Sequence, residues 1–204
     1  MKTLHILHSE AATGWGGQEI RIFQECQLLL EQGHTVSIVC QPDSTLWNRC
    51  KSITSENFNC YILRMKNSAN LFSILSLYKI IKLASPDIIH THSSIDSWLA
   101  GIVGKLLGLP VIRSRHISIP IKSFFPNNWL YSKIPKKIIT SGEAISKVVS
   151  SVSGVDPKNV KSISAGVDFK RFDFNIDCSK IKKELKINSN QFLIGKIGVI
   201  RGWK

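Results

Sequence analysis

Residues 86–112 read PDIIHTHSSIDSWLAGIVGKLLGLPVI and hold a strand, a helix and the start of another strand. The strand-like run Ile88-Ile89-His90 is followed by Trp98, Leu99, Ile102, Val103, Leu106 and Leu107 at helical spacing, which predicts one apolar helix face. Gly108 and Pro110 supply the punctuation expected after a helix, and Val111 and Ile112 open the next strand. Two strands joined through a helix lie parallel, because only a long crossover returns the chain to the same end of a sheet.

The same alternation fills the rest of the chain. Apolar runs at 4–7, 36–39, 61–63, 138–140 and 160–163 read as further strands. Between them Ile20, Phe23, Cys26 and Leu30 form a helical stripe closed by Gly33, and Leu71, Ile74, Leu75, Tyr78 and Ile81 form another that ends before Pro86. Thr140 and Glu143 have the spacing of a capping box ahead of Ile145, Val148, Val149 and Val152. The expected fold is α/β, a doubly wound, Rossmann-like parallel sheet covered by helices on both faces. After Phe172 the pattern breaks into a basic helix from about Ser179 to Lys186 and then a fresh strand at 192–200. The expected organisation is therefore a domain at 1–175, a linker helix at 176–189, and at 190–204 the first strand of a second, truncated domain.

Composition sets the class. The 204 residues are 43% hydrophobic and 20% charged, which fits a globular chain and excludes disorder and low complexity. No stretch approaches the roughly 20 apolar residues of a membrane span. The first eight residues carry one lysine and a short apolar stretch broken by His5, which reads as a strand and not as a signal peptide. Five cysteines without a C-x-x-C spacing argue against a disulfide framework and a thiolate zinc site, so reduced thiols in the cytoplasm are expected. The net charge is +13, and residues 103–204 carry the whole excess, with nineteen basic and six acidic side chains. Such asymmetry points to an anionic partner: nucleic acid, a membrane surface or a phosphorylated substrate.

Ligands of such sheets bind at the carboxyl ends of the strands. After the first strand comes TGWGG at 13–17 and then a helix, an arrangement that lets backbone amides approach a phosphate or carboxylate. A plain flexible turn is the alternative; a dinucleotide site fits worse, since the spacing is not G-x-G-x-x-G and the second strand ends in Cys40 and Gln41. His90 and His92 stand two apart, so their side chains point the same way. With His116 they could form a three-histidine metal site, but only Asp96 adds a carboxylate, and hydrogen-bonded structural histidines are the expected reading; no metal and no cofactor are expected. Between Asp96 and Glu143 there is no acid, while Lys105, Arg113, Arg115, Lys122, Lys133, Lys136 and Lys137 accompany Phe124, Phe125, Trp129 and Tyr131. That mixture suits a lipid headgroup layer, stacking on nucleic acid, or a solvated loop with buried aromatics.

Taken together, five stretches in order resemble the N-terminal, acceptor-side domain of family 4 glycosyltransferases of the GT-B fold. They are Gly16-Gly17-Gln18-Glu19, Gln32-Gly33-His34-Thr35-Val36, Pro86-Asp87-Ile88-Ile89-His90-Thr91-His92, residues 110–116, and Gly166-Val167-Asp168 followed by Phe172. Residues 197–204 look like the opening of the family's second domain. The resemblance implies one GT-B half that binds the acceptor, with the nucleotide-sugar donor held by the second half, and a retaining transfer that needs no metal. Carried over by position, Gly16 and Gly17 would lie against the donor phosphates or transferred sugar, and His116 would line the reaction centre as the catalytic residue. Gln18, Glu19, His92, Arg113 and Arg115 fall at substrate-binding positions, and Lys204 would contact the diphosphate. Two positions depart from the family: Val199 stands where arginine is frequent, with Arg201 as its substitute, and Ala165 stands where asparagine is common. The implied partners are a nucleotide-sugar donor, a glycan or glycolipid acceptor of lipopolysaccharide or cell-envelope polysaccharide synthesis, and the anionic inner face of the membrane, with no nucleic acid. Lacking the second domain's donor pocket, the chain alone is expected to be inactive unless a separate C-terminal chain supplies it. The rival readings are a basic nucleic-acid-binding module and a non-catalytic scaffold.

Overall fold

The computed structural model describes residues 2–167, 169, 172–173, 175–188, 190–191 and 193–195. The chain divides into two compact units, Met1–Ala165 and Gly166–Lys204. The first contains strands β1 (His5–Glu10), β2 (Thr35–Cys40), β3 (Phe58–Ile62), β4 (Ile88–Thr91), β5 (Val111–Arg115), β6 (Lys137–Thr140) and β7 (Val160–Ser162). They form one sheet in the order β3-β2-β1-β4-β5-β6-β7, with every neighbouring pair parallel. The α/β, Rossmann-like architecture expected from the alternation is the one observed. Helices α1 (Gly17–Glu31), α2 (Thr45–Cys50), α3 (Leu71–Ala84), α4 (Ser94–Leu106), α5 (Phe125–Ser132) and α6 (Glu143–Ser150) make the connections. In the second unit α7 (Ser179–Glu184) is exposed along its length. Asp168, Arg201, Lys204 and most of the strand expected at 192–200 lie outside the described residues.

From β1 the chain steps one way to β2 and β3, and from β4 it steps the other way to β5, β6 and β7. The order reverses between β1 and β4, and a crevice opens beyond the carboxyl ends of strands at such a switch point. The unit first read from the sequence sits beside it. Helix α4 packs so closely that a Cβ on Gly104 would come within 2.7 Å of Val111 and 2.9 Å of Ile89, and one on Gly101 within 2.7 Å of Ile134. Gly108 ends the turn in the left-handed region at φ +70, where Leu109 N donates to Gly104 O at 2.9 Å.

Three local expectations change. Strand β1 runs on to Glu10 and β5 to Arg115, beyond the apolar runs, because both are flanked by parallel partners that bond their polar ends. Helix α5 occupies what reads as loop, started by Pro126 in its first turn. Thr140 caps nothing: it is the last residue of β6, paired with Arg115 and Ser162, so Gly142 becomes the N-cap and Glu143 the first helical residue. At two other helix starts the third helical residue reaches back to the N-cap amide: Glu19 accepts from Gly16 N and Asp96 from Ser93 N. No described helix is long and apolar enough to cross a membrane.

Candidate functional site

Each of the three central strands ends in polar residues that the fold buries, save Arg115 and His116 after β5, which are half-buried. β1 ends in His8, Ser9 and Glu10; β4 leads to His90, Thr91 and His92; β5 leads through Arg113, Ser114 and Arg115 to His116. The register sets His8 beside His90. Ring centroids lie 5.0 Å apart for His8 and His90, 4.2 Å for His90 and His92, and 5.3 Å for His8 and His92. His8 Nδ1 is 3.0 Å from His92 Nε2, and His90 Nε2 is 2.8 Å from Ser114 Oγ. On its other nitrogen, His90 Nδ1 meets the Glu25 carboxylate of α1 at 3.3 Å. Burial, reinforced by the neighbouring His90, lowers His8 to about 4 and holds His92 well below the usual imidazole range, so both are neutral near pH 7. The trio that spacing made conceivable as a metal site changes one member. His8 completes the cluster, and His116 stacks outside it with its ring 6.1 Å from that of His92.

A cavity of about 320 Å³ opens at the ends of β4 and β5, with Gln18, His92, Arg113, Arg115 and His116 in its wall and Ile117, Pro120, Ile121 and Lys122 from the following loop. Arg113 is only 4% exposed, yet among the described residues its charge has no direct anionic partner. Its Nη2 donates to Tyr131 Oη at 3.1 Å and its guanidinium lies 4.1 Å from that ring centre, while Nε and Nη1 have no hydrogen-bond partner among the described residues. Arg115 Nη1 donates to the same Tyr131 oxygen at 2.6 Å, and its Nε is unpartnered too. The nearby acid, Asp96, is engaged elsewhere: its carboxylate accepts from His92 N and Ser93 N, each at 2.8 Å, and from Ser93 Oγ. Burial lifts Asp96 to about 6 against these bonds and lowers Arg113. Buried guanidinium donors without partners are costly, and an anion in the cavity is the group that would satisfy them. His116 has a buried, unpartnered Nε2, and burial lowers it to about 4.

The glycine turn contributes less directly. Gly16 N donates to Glu19 Oε2 at 2.7 Å, which leaves that amide unavailable to a ligand. Of Gly16, Gly17, Gln18 and Glu19, Gln18 is the one found in the cavity wall. Glu10 holds it there, accepting from Gln18 Nε2 at 2.5 Å and from Ala12 N at 2.7 Å. Burial first, then Asp96, raise Glu10 to about 8, so its carboxyl is protonated near neutrality.

The acid-free stretch is not one surface. Trp129 stacks on Trp98 at 5.8 Å, and Tyr131 is buried under the two arginines. Phe124 and Phe125, the latter 79% exposed, follow the cavity loop. Lys136 lies at the opposite edge of the sheet, where its N donates to Val111 O at the start of β5 at 2.8 Å. Lys133 and Lys105 are joined beside it through a 2.7 Å bond from Lys105 Nζ to Lys133 O. Sequence reading passed over His8, Glu10, Glu25 and Ser114. A signal for the first two existed, since His8 and Glu10 continue the alternation of β1 past Leu7.

The model of the family described as Glycosyltransferase Family 4 matches residues 15–171. An Escherichia coli relative, UDP-Gal:alpha-D-GlcNAc-diphosphoundecaprenol alpha-1,3-galactosyltransferase, is 26% identical over 97% of this chain and 55% of its own length. Among solved structures, a glycosyltransferase from Rickettsia africae superposes with a TM-score of 0.72 at 22% identity, over 93% of this chain and 51% of that one. Anabaena HepE, solved with UDP and glucose, gives 0.66 at 14% identity over 90% and 50%. The chain spans about half the length of these relatives.

Proposed function

Because the chain belongs to Glycosyltransferase Family 4, we propose that it is the acceptor-binding half of a transferase that moves a sugar from a nucleotide-sugar donor to an anionic lipid-linked glycan. The observation that carries this reading is the buried guanidinium of Arg113 in the cavity wall, whose Nε and Nη1 have no hydrogen-bond partner among the described residues, with Arg115 beside it. A phosphate or diphosphate of the acceptor would satisfy those donors bidentately. The Escherichia coli relative acts on a diphosphoundecaprenol-linked sugar, which supports an acceptor of lipopolysaccharide or cell-envelope polysaccharide synthesis.

In this reading neutral His116 faces the transferred sugar and Gln18, held by Glu10, helps orient it. Negative charge builds on the departing nucleoside diphosphate, and preorganised donors placed there lower the barrier. Of the Gly16–Gly17 turn the Gly17 amide, the Gly16 amide being held by Glu19, would serve that charge, as would Arg201 and Lys204, and transfer retains configuration without a catalytic metal. The donor pocket belongs to a second domain, so the 204-residue chain alone turns over no donor. Ile117, Ile119, Phe124 and Phe125, exposed beside Lys122, would rest on the anionic inner face of the membrane, where the acceptor's lipid tail lies. The lysines at the opposite edge take no part.

Calorimetry with a water-soluble, short-chain prenyl-diphosphate N-acetylglucosamine tests the reading. The expected result is binding to the chain that weakens with salt, none to a neutral prenyl glycoside, and no micromolar binding of UDP-galactose. Steeply salt-dependent binding of a mixed-sequence oligonucleotide, with none of the diphosphate, would favour the nucleic-acid module instead.

A further inference from the structure

We propose that His8, His90 and His92 form a binding site for one borderline divalent cation of the zinc class, behind the cavity wall. One ligating nitrogen from each ring lies within 4.8 Å of the others, and all three rings are buried. His8 Nδ1 and His92 Nε2 are hydrogen-bonded at 3.0 Å, close to the separation of two imidazole ligands on one small ion, so binding needs only that the shared proton move to the far nitrogen of its ring. The third ring is oriented from behind. With Glu25 on Nδ1, His90 keeps its lone pair on Nε2, where the Ser114 hydroxyl now uses it at 2.8 Å. A carboxylate behind a histidine is the arrangement that fixes tautomer and ring angle at metal centres and raises the basicity of the ligand.

The donor set chooses the ion. Three imidazoles without a carboxylate or thiolate suit zinc, cobalt, nickel or copper and offer little to magnesium or calcium. Two buried ring nitrogens, His8 Nε2 and His92 Nδ1, have no hydrogen-bond partner among the described residues, so each can carry its ring's proton while the other nitrogen is presented to an ion. Arg21 opposes a cation at His92, and the Glu25 charge offsets it. His92 also lines the cavity, which gives the ion its entry and its consequence. Bound there, it would lock the ring on which His116 stacks. This site is independent of the transfer reading, and no step of transfer runs through it.

The test uses the chain stripped with EDTA and kept reduced with a phosphine. Titration with ZnCl2 should give one ion per chain with a Kd of about 10 μM or tighter, while MgCl2 and CaCl2 give no signal. CoCl2 should give the visible absorption of a four- or five-coordinate ion without a thiolate charge-transfer band. His8→Gln and His92→Gln should each weaken zinc binding about a hundredfold, and Glu25→Gln about tenfold. His5→Gln and Cys178→Ser should leave it unchanged. A thiolate band would assign the ion to cysteine and overturn the site, as would zinc binding that survives His8→Gln, or no binding tighter than about 100 μM. Should His8→Gln fail to fold, the cobalt spectrum of the wild-type chain and the Glu25→Gln titration decide.

Discussion

Along β4, Ile89 in the first half and His90, Thr91 and His92 towards the carboxyl end are all nearly inaccessible, yet they are chemically opposite. Ile89 belongs to an apolar cluster with Leu7, Leu99, Val103 and Val111. The carboxyl half meets other polar ends instead: His8, Glu10, Arg113 and Ser114. Equal burial thus has two origins. In the first half it removes apolar surface from water and stabilises the fold. In the second it holds neutral imidazoles, a protonated carboxyl and unpaired guanidinium donors at a stability cost, which is the mark of a site built for a ligand.

The contrast is open to attack from both ends. Ile89→Ala should destabilise the chain by about 2–5 kcal/mol in urea unfolding, because the cavity it leaves cannot close against α4. A loss below about 1 kcal/mol would mean that the packing around Gly104 is looser than described.

At the other end His116→Ala should leave the melting temperature nearly unchanged. In an enzyme completed with a family C-terminal domain, it should lower turnover about a hundredfold, as expected for loss of one electrostatic stabiliser. A drop in melting temperature with full activity would make His116 a structural histidine.

A smaller effect should appear with pH in the metal-free chain. Burial and Asp96 raise Glu10 from 4.5 to about 8 in the folded chain. Between those values the native state holds a proton that the unfolded chain has released, so this group's contribution to stability falls as pH rises through the window. Glu10→Gln should therefore be more stable than wild type by about 1–3 kcal/mol at pH 8 and nearly equal to it at pH 5. An equal difference at both values would trace the gain to packing.

The fold was legible because the periodicities of 88–112 and its repeats survive in one sequence. Gly108 marks a helix end that the structure places at φ +70. The site was half legible. Spacing alone brings His90 and His92 to one side of a strand, but it takes the parallel pairing of β1 with β4 to set His8 beside them. Glu25 comes from a helix exposed on its other side, and its partner His90 is 65 residues away along the chain, a separation only the tertiary fold closes. The basic and aromatic stretch is not one surface, because α5 turns Trp129 and Tyr131 inward while Lys122 lines the cavity and Lys105, Lys133 and Lys136 gather at the far edge of the sheet.

The central claim is that the carboxyl edge trades stability for an anion site, and Arg113→Met tests it most directly. Melting temperature and binding of the prenyl-diphosphate sugar are measured on the same preparation. Replacing a buried, underpaired charge by an apolar side chain of similar volume is often neutral or stabilising. The account predicts an unchanged or higher melting temperature together with at least a tenfold loss of binding. A lower melting temperature with binding intact would contradict it and make Arg113 part of the core.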